Sequence, residues 1–280
     1  MKLFDLIKKK TKKKQPISSG NYIVDFYNNH CDEESRLLTK HGKIEFLTTV
    51  RYVEKYLKDG MKIMEIGAAT GRYSHYFAQK GFEVDAVELV EHNIDIFKSK
   101  TQPSEKVSIK QGNALDLSEY TDNSYDVTLL FGPMYHLYTL EEQKKALSEA
   151  IRITKPEGYV FVAYCMLDPA MLMSFKNDRI KKLIADGEYD PVTLEAYFPP
   201  HGIFKLYTKD EIFELTKEFN TERLCFTATD GYTRHMSEAI DKMDDETYEL
   251  YLKYHFKNCE RQDLIGLSHH TLDVLRKNKI

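Results

Sequence analysis

The stretch Lys62-Ile63-Met64-Glu65-Ile66-Gly67-Ala68-Ala69-Thr70-Gly71-Arg72 decides how the rest of the chain is read. Its first residues read as a buried strand, which runs into a glycine-punctuated turn and then a helix. A second apolar run, Phe82 to Leu89, carries Glu88 near its end. A strand, a small-residue turn and a carboxylate about 20 residues on form the signature of a nucleoside-binding fold. The small residues let the backbone approach a ligand, and the carboxylate accepts hydrogen bonds from both ribose hydroxyls.

The glycine spacing separates one nucleoside from another. The dinucleotide fingerprint needs glycines at the first, third and sixth positions so that a pyrophosphate sits on the helix N-terminus. Counting from Gly67, those positions hold Ala69 and Arg72, and the long arginine side chain stands where close helix–strand approach needs a small residue. A nicotinamide enzyme is therefore disfavoured. The remaining pattern, Glu65-x-Gly67-x-Ala69-x-Gly71, resembles motif I of the class I S-adenosylmethionine-dependent methyltransferases, with Ala69 in place of the middle glycine. That cofactor carries an ammonium and a sulfonium but no phosphate, and an acid in the turn suits the ammonium.

The resemblance continues in order along residues 58–165. Val84 to Val90 looks like the second strand, with Glu88 as the ribose-binding acid and Leu89 beside it. Val107 to Leu117 looks like the third strand and its adenine-contacting loop, where Asn113 replaces the common aspartate and Ala114 follows. Ser124 to Leu137 looks like the fourth strand and the opening of the substrate pocket, including Phe131 and Gly132. Lys155 to Val162 looks like the fifth. The resemblance implies S-adenosyl-L-methionine as cofactor, held by Glu65, Gly67, Ala68, Ala69, Gly71, Glu88, Leu89, Asn113, Ala114, Phe131 and Gly132. Tyr27 and Arg36 lie where the family often lays an N-terminal helix over the cofactor.

Composition narrows the class. The 280 residues are 42% hydrophobic and 30% charged, as in a soluble globular protein, and no apolar run approaches membrane-spanning length. A net charge of -4 offers no general field for nucleic acid. Four cysteines scattered without a Cys-x-x-Cys pair argue against a zinc site or a disulfide framework and for a reducing, cytoplasmic setting; no metal is expected. The N-terminus differs in kind: Met1 to Ile7 precedes six lysines between Lys8 and Lys14. The basic tail, residues 1–19, reads as disordered, with contact to anionic surfaces as the functional alternative.

Strands and helices alternate from residue 62 to 165, which implies a Rossmann-like α/β fold: a doubly wound, mostly parallel sheet with ligands at the carboxyl ends of the strands. Residues 20–280 read as a single domain. It comprises a helical N-terminal cap (20–57), a cofactor-binding core (58–165), a lid or substrate insertion over the ligand edge (166–206) and antiparallel edge strands with a helical insertion (207–280). The insertion, with Met166, Met171, Met173, Phe175 and Phe198, fits no core element.

Methyl transfer from a sulfonium needs positioning and exclusion of water more than a fixed catalytic triad. A general base helps when the acceptor is a hydroxyl or an ammonium. His136, just beyond Gly132-Pro133, is the candidate base, and Tyr135 beside it is a candidate substrate contact. The Gly132-Pro133-Met134-Tyr135 segment lacks the amide or acid that amino-methylating enzymes acting on nucleobases use, which disfavours those acceptors. Arg234/His235 and His269/His270 flank the last two strands and read as surface or packed groups. Tyr73, Tyr76 and Phe77 read as core. The leading expectation is a methyltransferase acting on a small molecule. Its rivals are a non-catalytic S-adenosylmethionine-binding sensor or scaffold and an RNA methyltransferase; oligomeric state is left open.

Overall fold

A computed structural model describes residues 19–30 and 38–279. The basic tail, apart from its last residue, and Arg36 lie outside the described residues. Two helices come first, α1 (Ser19–Asn29) and α2 (Lys40–Glu54). The core then alternates β1 (Lys62–Ile66), α3 (Arg72–Gln79), β2 (Glu83–Glu88), α4 (Glu91–Lys100), β3 (Val107–Gln111), β4 (Tyr125–Leu130), α5 (Leu140–Ile153) and β5 (Thr154–Cys165). These bounds fall within a few residues of the expected ones, because the periodicity and the caps are local. Thr139 and Glu142, for instance, close a reciprocal capping box at the start of α5.

The seven strands form one sheet in the order β3-β2-β1-β4-β5-β7-β6, completed by β6 (Thr221–Ala228) and β7 (His270–Lys277). β1 to β5 pair in parallel, and β7 runs antiparallel to both β5 and β6. The antiparallel relation thus lies at the expected edge of the sheet, with β6 outermost. One consequence concerns the ligand edge. β7 starts where the parallel strands end, and its register sets His270 opposite Cys165, the last residue of β5.

The core is built from both sheet faces. Ile63, Met64, Val84, Leu129, Phe161 and Val274 are fully buried with Phe77 of α3 and Leu147 of α5. Burying a side chain of this size contributes about 1.5–3 kcal/mol relative to leaving it exposed. A smaller cluster of Ile44, Ile240 and Leu252 joins α2 to α9 (Ser237–Asp241) and α10 (Asp245–Asn258). Polar ties reinforce it: Lys40 Nζ donates to Met243 O at 2.6 Å, Tyr248 Oη donates to Lys40 O at 2.7 Å, and Thr48 Oγ1 bonds His255 Nε2 at 2.9 Å. Helix α2 and the helices between β6 and β7 are therefore held together.

Residues 166–206, read from the sequence as an insertion of no core type, contain α6 (Leu167–Lys176) and α7 (Ile180–Asp186). The segment returns to the sheet where Met166 bridges Tyr207, and Tyr207 Oη donates to Met134 O at 2.6 Å. Helix α8 (Lys209–Thr216) leads on to β6. Among the described residues no helix is long and apolar enough to cross a membrane.

Gly71 shows how tightly the start of α3 packs against α4. It precedes α3 with φ of 87°, and a Cβ there would fall 2.3 Å from Cδ2 of the buried Phe97. Gly71→Ala is expected to lower stability by about 2–4 kcal/mol in urea unfolding, combining left-handed strain with overpacking. A loss under about 1 kcal/mol would show that Phe97 yields freely.

Candidate active site

Two carboxylates stand at the carboxyl ends of adjacent strands. Glu65 of β1 is 1% exposed, and its carboxylate accepts the hydroxyl of Ser74 on α3. Burial pushes its carboxyl up to about 8, against the pull of Ser74. Glu88 ends β2. Its Oε2 accepts the Ala69 amide at 2.8 Å, and its Oε1 accepts the Val90 amide at 2.9 Å and, more weakly, Asn93 Nδ2 at 3.4 Å. Burial raises its pKa too, and the two amides oppose the rise. Among the described residues neither acid is paired with a basic side chain.

The turn between them is held from below. The amides of Gly67 and Ala68 both donate to Val87 O, at 2.8 and 3.1 Å. A Cβ on Gly67 would lie 2.5 Å from Phe131 O and from Pro133 Cδ, so this residue's smallness brings the β1 turn against the exit of β4. Ala69 has φ of 47°, a left-handed backbone that costs an alanine about 1–2 kcal/mol. That conformation accompanies its amide bond to Glu88.

A single cleft brings together most of the residues expected from sequence. Glu65, Gly67, Ala68, Ala69, Glu88 and Leu89 form its floor; Asn113, Ala114, Phe131 and Gly132 line one side; Tyr27, Tyr135 and His136 close it. Gly71 does not line it and serves the packing against Phe97 instead. Asn113 Oδ1 accepts the Leu115 amide at 3.0 Å, which shapes its loop. Tyr73, expected in the core, packs against it and also lines the cleft, its ring 5.0 Å from that of Phe131.

His136 is 7% exposed at the end of a 3-10 turn, Pro133–His136. Its Nδ1 lies 2.9 Å from Ile203 O, an acceptor only, so Nδ1 carries the proton. Its Nε2 then accepts from Tyr27 Oη at 3.0 Å. Tyr27 and Tyr135 also line a second cavity of about 520 Å³, walled by Met166, Met171, Met173, Phe198, Phe204 and Leu206. The 166–206 segment supplies most of that wall.

Sequence reading missed the far wall of the cleft, where Glu45 of α2, Thr229 after β6 and His270 of β7 meet. His270 Nδ1 lies 2.8 Å from Asp230 Oδ2 and 3.3 Å from Glu45 Oε2. The three donor atoms are close enough to share one cation. The 2.8 Å contact is that of a proton held between imidazole and carboxylate. His270, expected at the surface or packed, is thus a cleft residue. The available signal was the strand reversal: in an antiparallel strand the first residue, not the last, stands at the ligand edge.

The donor set fits S-adenosylmethionine. Two buried acids without a basic partner favour a ligand that brings hydroxyls and a positive charge, and they oppose a pyrophosphate. Ala69→Gly is expected to relieve the left-handed strain, raising stability by about 0.5–1 kcal/mol after the added unfolded-state entropy of glycine. Thermal unfolding checks this; a lowered midpoint would show that Ala69 is unstrained.

Residues 64–162 match the methyltransferase domain family. Over 105 residues the chain is 33% identical to a demethylmenaquinone methyltransferase of Renibacterium salmoninarum, a match covering 37% of this chain and 41% of that protein. The chain therefore spans about two fifths of that curated relative's length. A crystal structure of an S-adenosylmethionine-dependent methyltransferase from Methanosarcina mazei aligns with a TM-score of 0.56 at 18% identity, over 82% of this chain and 98% of that one. Another, from Thermotoga maritima, aligns with a TM-score of 0.54 at 18% identity, over 93% and 100%. At such identities the likeness shows the fold. Sheet order and the solved structures together show a class I, Rossmann-like methyltransferase fold, and residues 64–162 within it are similar to a methyltransferase domain.

Proposed function

We propose that the protein transfers a methyl group from S-adenosylmethionine to a small molecule held in the cavity under residues 166–206. The observation that carries this reading is the buried pair Glu65 and Glu88 facing one cleft. Glu88, fixed by two backbone amides, keeps lone pairs for the ribose hydroxyls. Glu65 faces the ammonium, whose charge offsets the burial that otherwise keeps this acid protonated. Asn113 and Ala114 would border the adenine, and Phe131 and Gly132 the path from the methyl group to the acceptor. When bound, the cofactor supplies a methyl group on a sulfonium whose leaving group is already activated.

The chain's own groups hold the acceptor, exclude water and move its proton. Tyr27 bridges cleft and cavity. An acceptor hydroxyl donates to Tyr27 Oη as the tyrosine proton passes to His136 Nε2, so His136 acts as base through Tyr27 and not by direct contact. The Ile203 carbonyl holds the imidazole in the required tautomer. Tyr135 packs edge-on against the His136 ring, 4.9 Å between centroids, and borders the acceptor.

Glu88→Ala is expected to weaken binding of S-adenosylhomocysteine by about 2–3 kcal/mol in calorimetric titration, the loss of charge-assisted bonds to two hydroxyls. Glu88→Gln keeps one acceptor oxygen and guards against simple unfolding. Unchanged affinity in both folded variants would remove Glu88 from the nucleoside site. Tyr27→Phe and His136→Ala are each expected to lower turnover by about 100-fold, with the double variant no slower than either single one. Multiplying effects, or a Tyr27→Phe enzyme at the parent rate, would break the relay.

A further inference from the structure

Glu65 is 1% exposed, and the groups its carboxyl meets are neutral: the hydroxyl and the amide of Ser74. It lies in register with Ala86 of β2, which places Glu88 two residues further along the neighbouring strand. The chargeable groups around the same cleft are Glu88, Arg72 on α3, Glu45 on α2, His136 after β4 and His270 on β7. Arg72 lies over the Phe46 ring, 5.9 Å from its centre, and Glu45 and His270 pair with each other at 3.3 Å. His136 bonds Ile203 O and Tyr27. Glu88 is the charged group that bears on Glu65, and it carries the same sign.

The two acids are not equivalent. Glu88 receives the Ala69 and Val90 amides, one on each oxygen, with Asn93 close by. Glu65 has the donors of one residue and, among the described residues, no cation. A carboxylate held out of water without a cation takes up a proton instead of bearing the charge. Two carboxyl groups sharing one floor sharpen this, because ionising one disfavours ionising the other. The better hydrogen-bonded Glu88 ionises first, and the proton stays on Glu65.

We propose that Glu65 keeps its proton until the ammonium of the cofactor arrives and gives it up on binding, so that this residue selects ligands carrying the amino-acid moiety and ties their affinity to pH. The Glu65 O–H bond breaks, its electron pair stays on the carboxylate, and the proton passes to solvent. The ammonium need not touch the acid: a positive charge within about 4–6 Å favours the ionised form. The ribose and the adenine are uncharged, so they have nothing to exchange with it.

The sign of the pH dependence follows from linkage. Burial and the charge of Glu88 hold Glu65 at about 8 before the ligand binds, and the ligand's positive charge lowers it. The complex therefore binds fewer protons than the free protein, and affinity rises with pH up to that value and levels off above it. A ligand without the ammonium leaves the proton where it is, and its affinity is flat over the same range.

This inference rests on the S-adenosylmethionine reading, and the experiment separates the two. The full chain is titrated calorimetrically with S-adenosylhomocysteine and with methylthioadenosine, a thionucleoside without the amino-acid part. Each titration is repeated in buffers of small and large ionisation heat, which counts the protons exchanged. S-adenosylhomocysteine should release at least about half a proton per site near pH 7 and bind about five- to tenfold more tightly per pH unit between about pH 5.5 and 7. Methylthioadenosine should release less than about a fifth of a proton and hold its affinity within about twofold over that range. Glu65→Gln, a neutral copy of the protonated acid, should melt with the parent at about pH 6 and bind S-adenosylhomocysteine without proton release. A smaller release from S-adenosylhomocysteine, an equal release from methylthioadenosine, or a release that persists in the folded Glu65→Gln variant overturns the inference. Should that variant not fold, the contrast between the two ligands in the parent protein decides. Failure of S-adenosylhomocysteine to bind would instead overturn the cofactor reading beneath it.

Discussion

The bonds from the Ala69 and Val90 amides to the Glu88 carboxylate are the constraint on which the site depends. They join the turn after β1 to the turn after β2 through one side chain, at 2.8 and 2.9 Å. Without them the left-handed Ala69 has no compensation, and the floor of the cleft loses its shape. The same carboxylate lines the cleft, so the group that anchors the two turns also borders the space for a ligand. Its cost is burial: Glu88 and its neighbour Glu65 both sit above the ordinary carboxylate range. A site that holds two acids out of water is not built for stability. It fits a ligand that carries the missing positive charge.

The sheet distributes the remaining tasks by strand position. The ends of β1 and β2 carry the two acids, the exit of β4 carries Gly132 to His136, and the start of β7 brings His270 to the far side. Closure comes from both ends of the chain. α1 contributes Tyr27, α2 contributes Glu45, and the helices after β6 pin α2 in place through Ile44, Ile240 and Leu252.

What the sequence made legible was whatever is written locally. β1, its turn and Glu88 lie within one short segment, and a parallel strand announces its ligand-facing end by running into a small-residue loop. The capping box at Thr139 and Glu142 announces α5 in the same way. The far wall is different in kind. Glu45, Asp230 and His270 come from three elements whose proximity exists only after folding, 185 and 40 residues apart in turn, and no spacing rule links them. Tyr27 and His136 are separated by 109 residues, so the histidine was visible as a candidate base and its contact with Tyr27 was not. Tyr73 was read as core because an aromatic at helical spacing usually is; it packs against the core and also borders the cleft, where the helix starts. Short helices α6 and α7 lack a sustained apolar stripe, since much of their apolar surface faces a cavity and not the core.

The central claim is that this cleft takes a positively charged thionucleoside and not a dinucleotide. It is tested most directly by calorimetric titration of the full chain with S-adenosylmethionine and with NAD under the same conditions. The account predicts saturable binding of S-adenosylmethionine at one site per chain and no measurable heat from NAD. Binding of NAD, or no binding of S-adenosylmethionine to the folded protein, would contradict it.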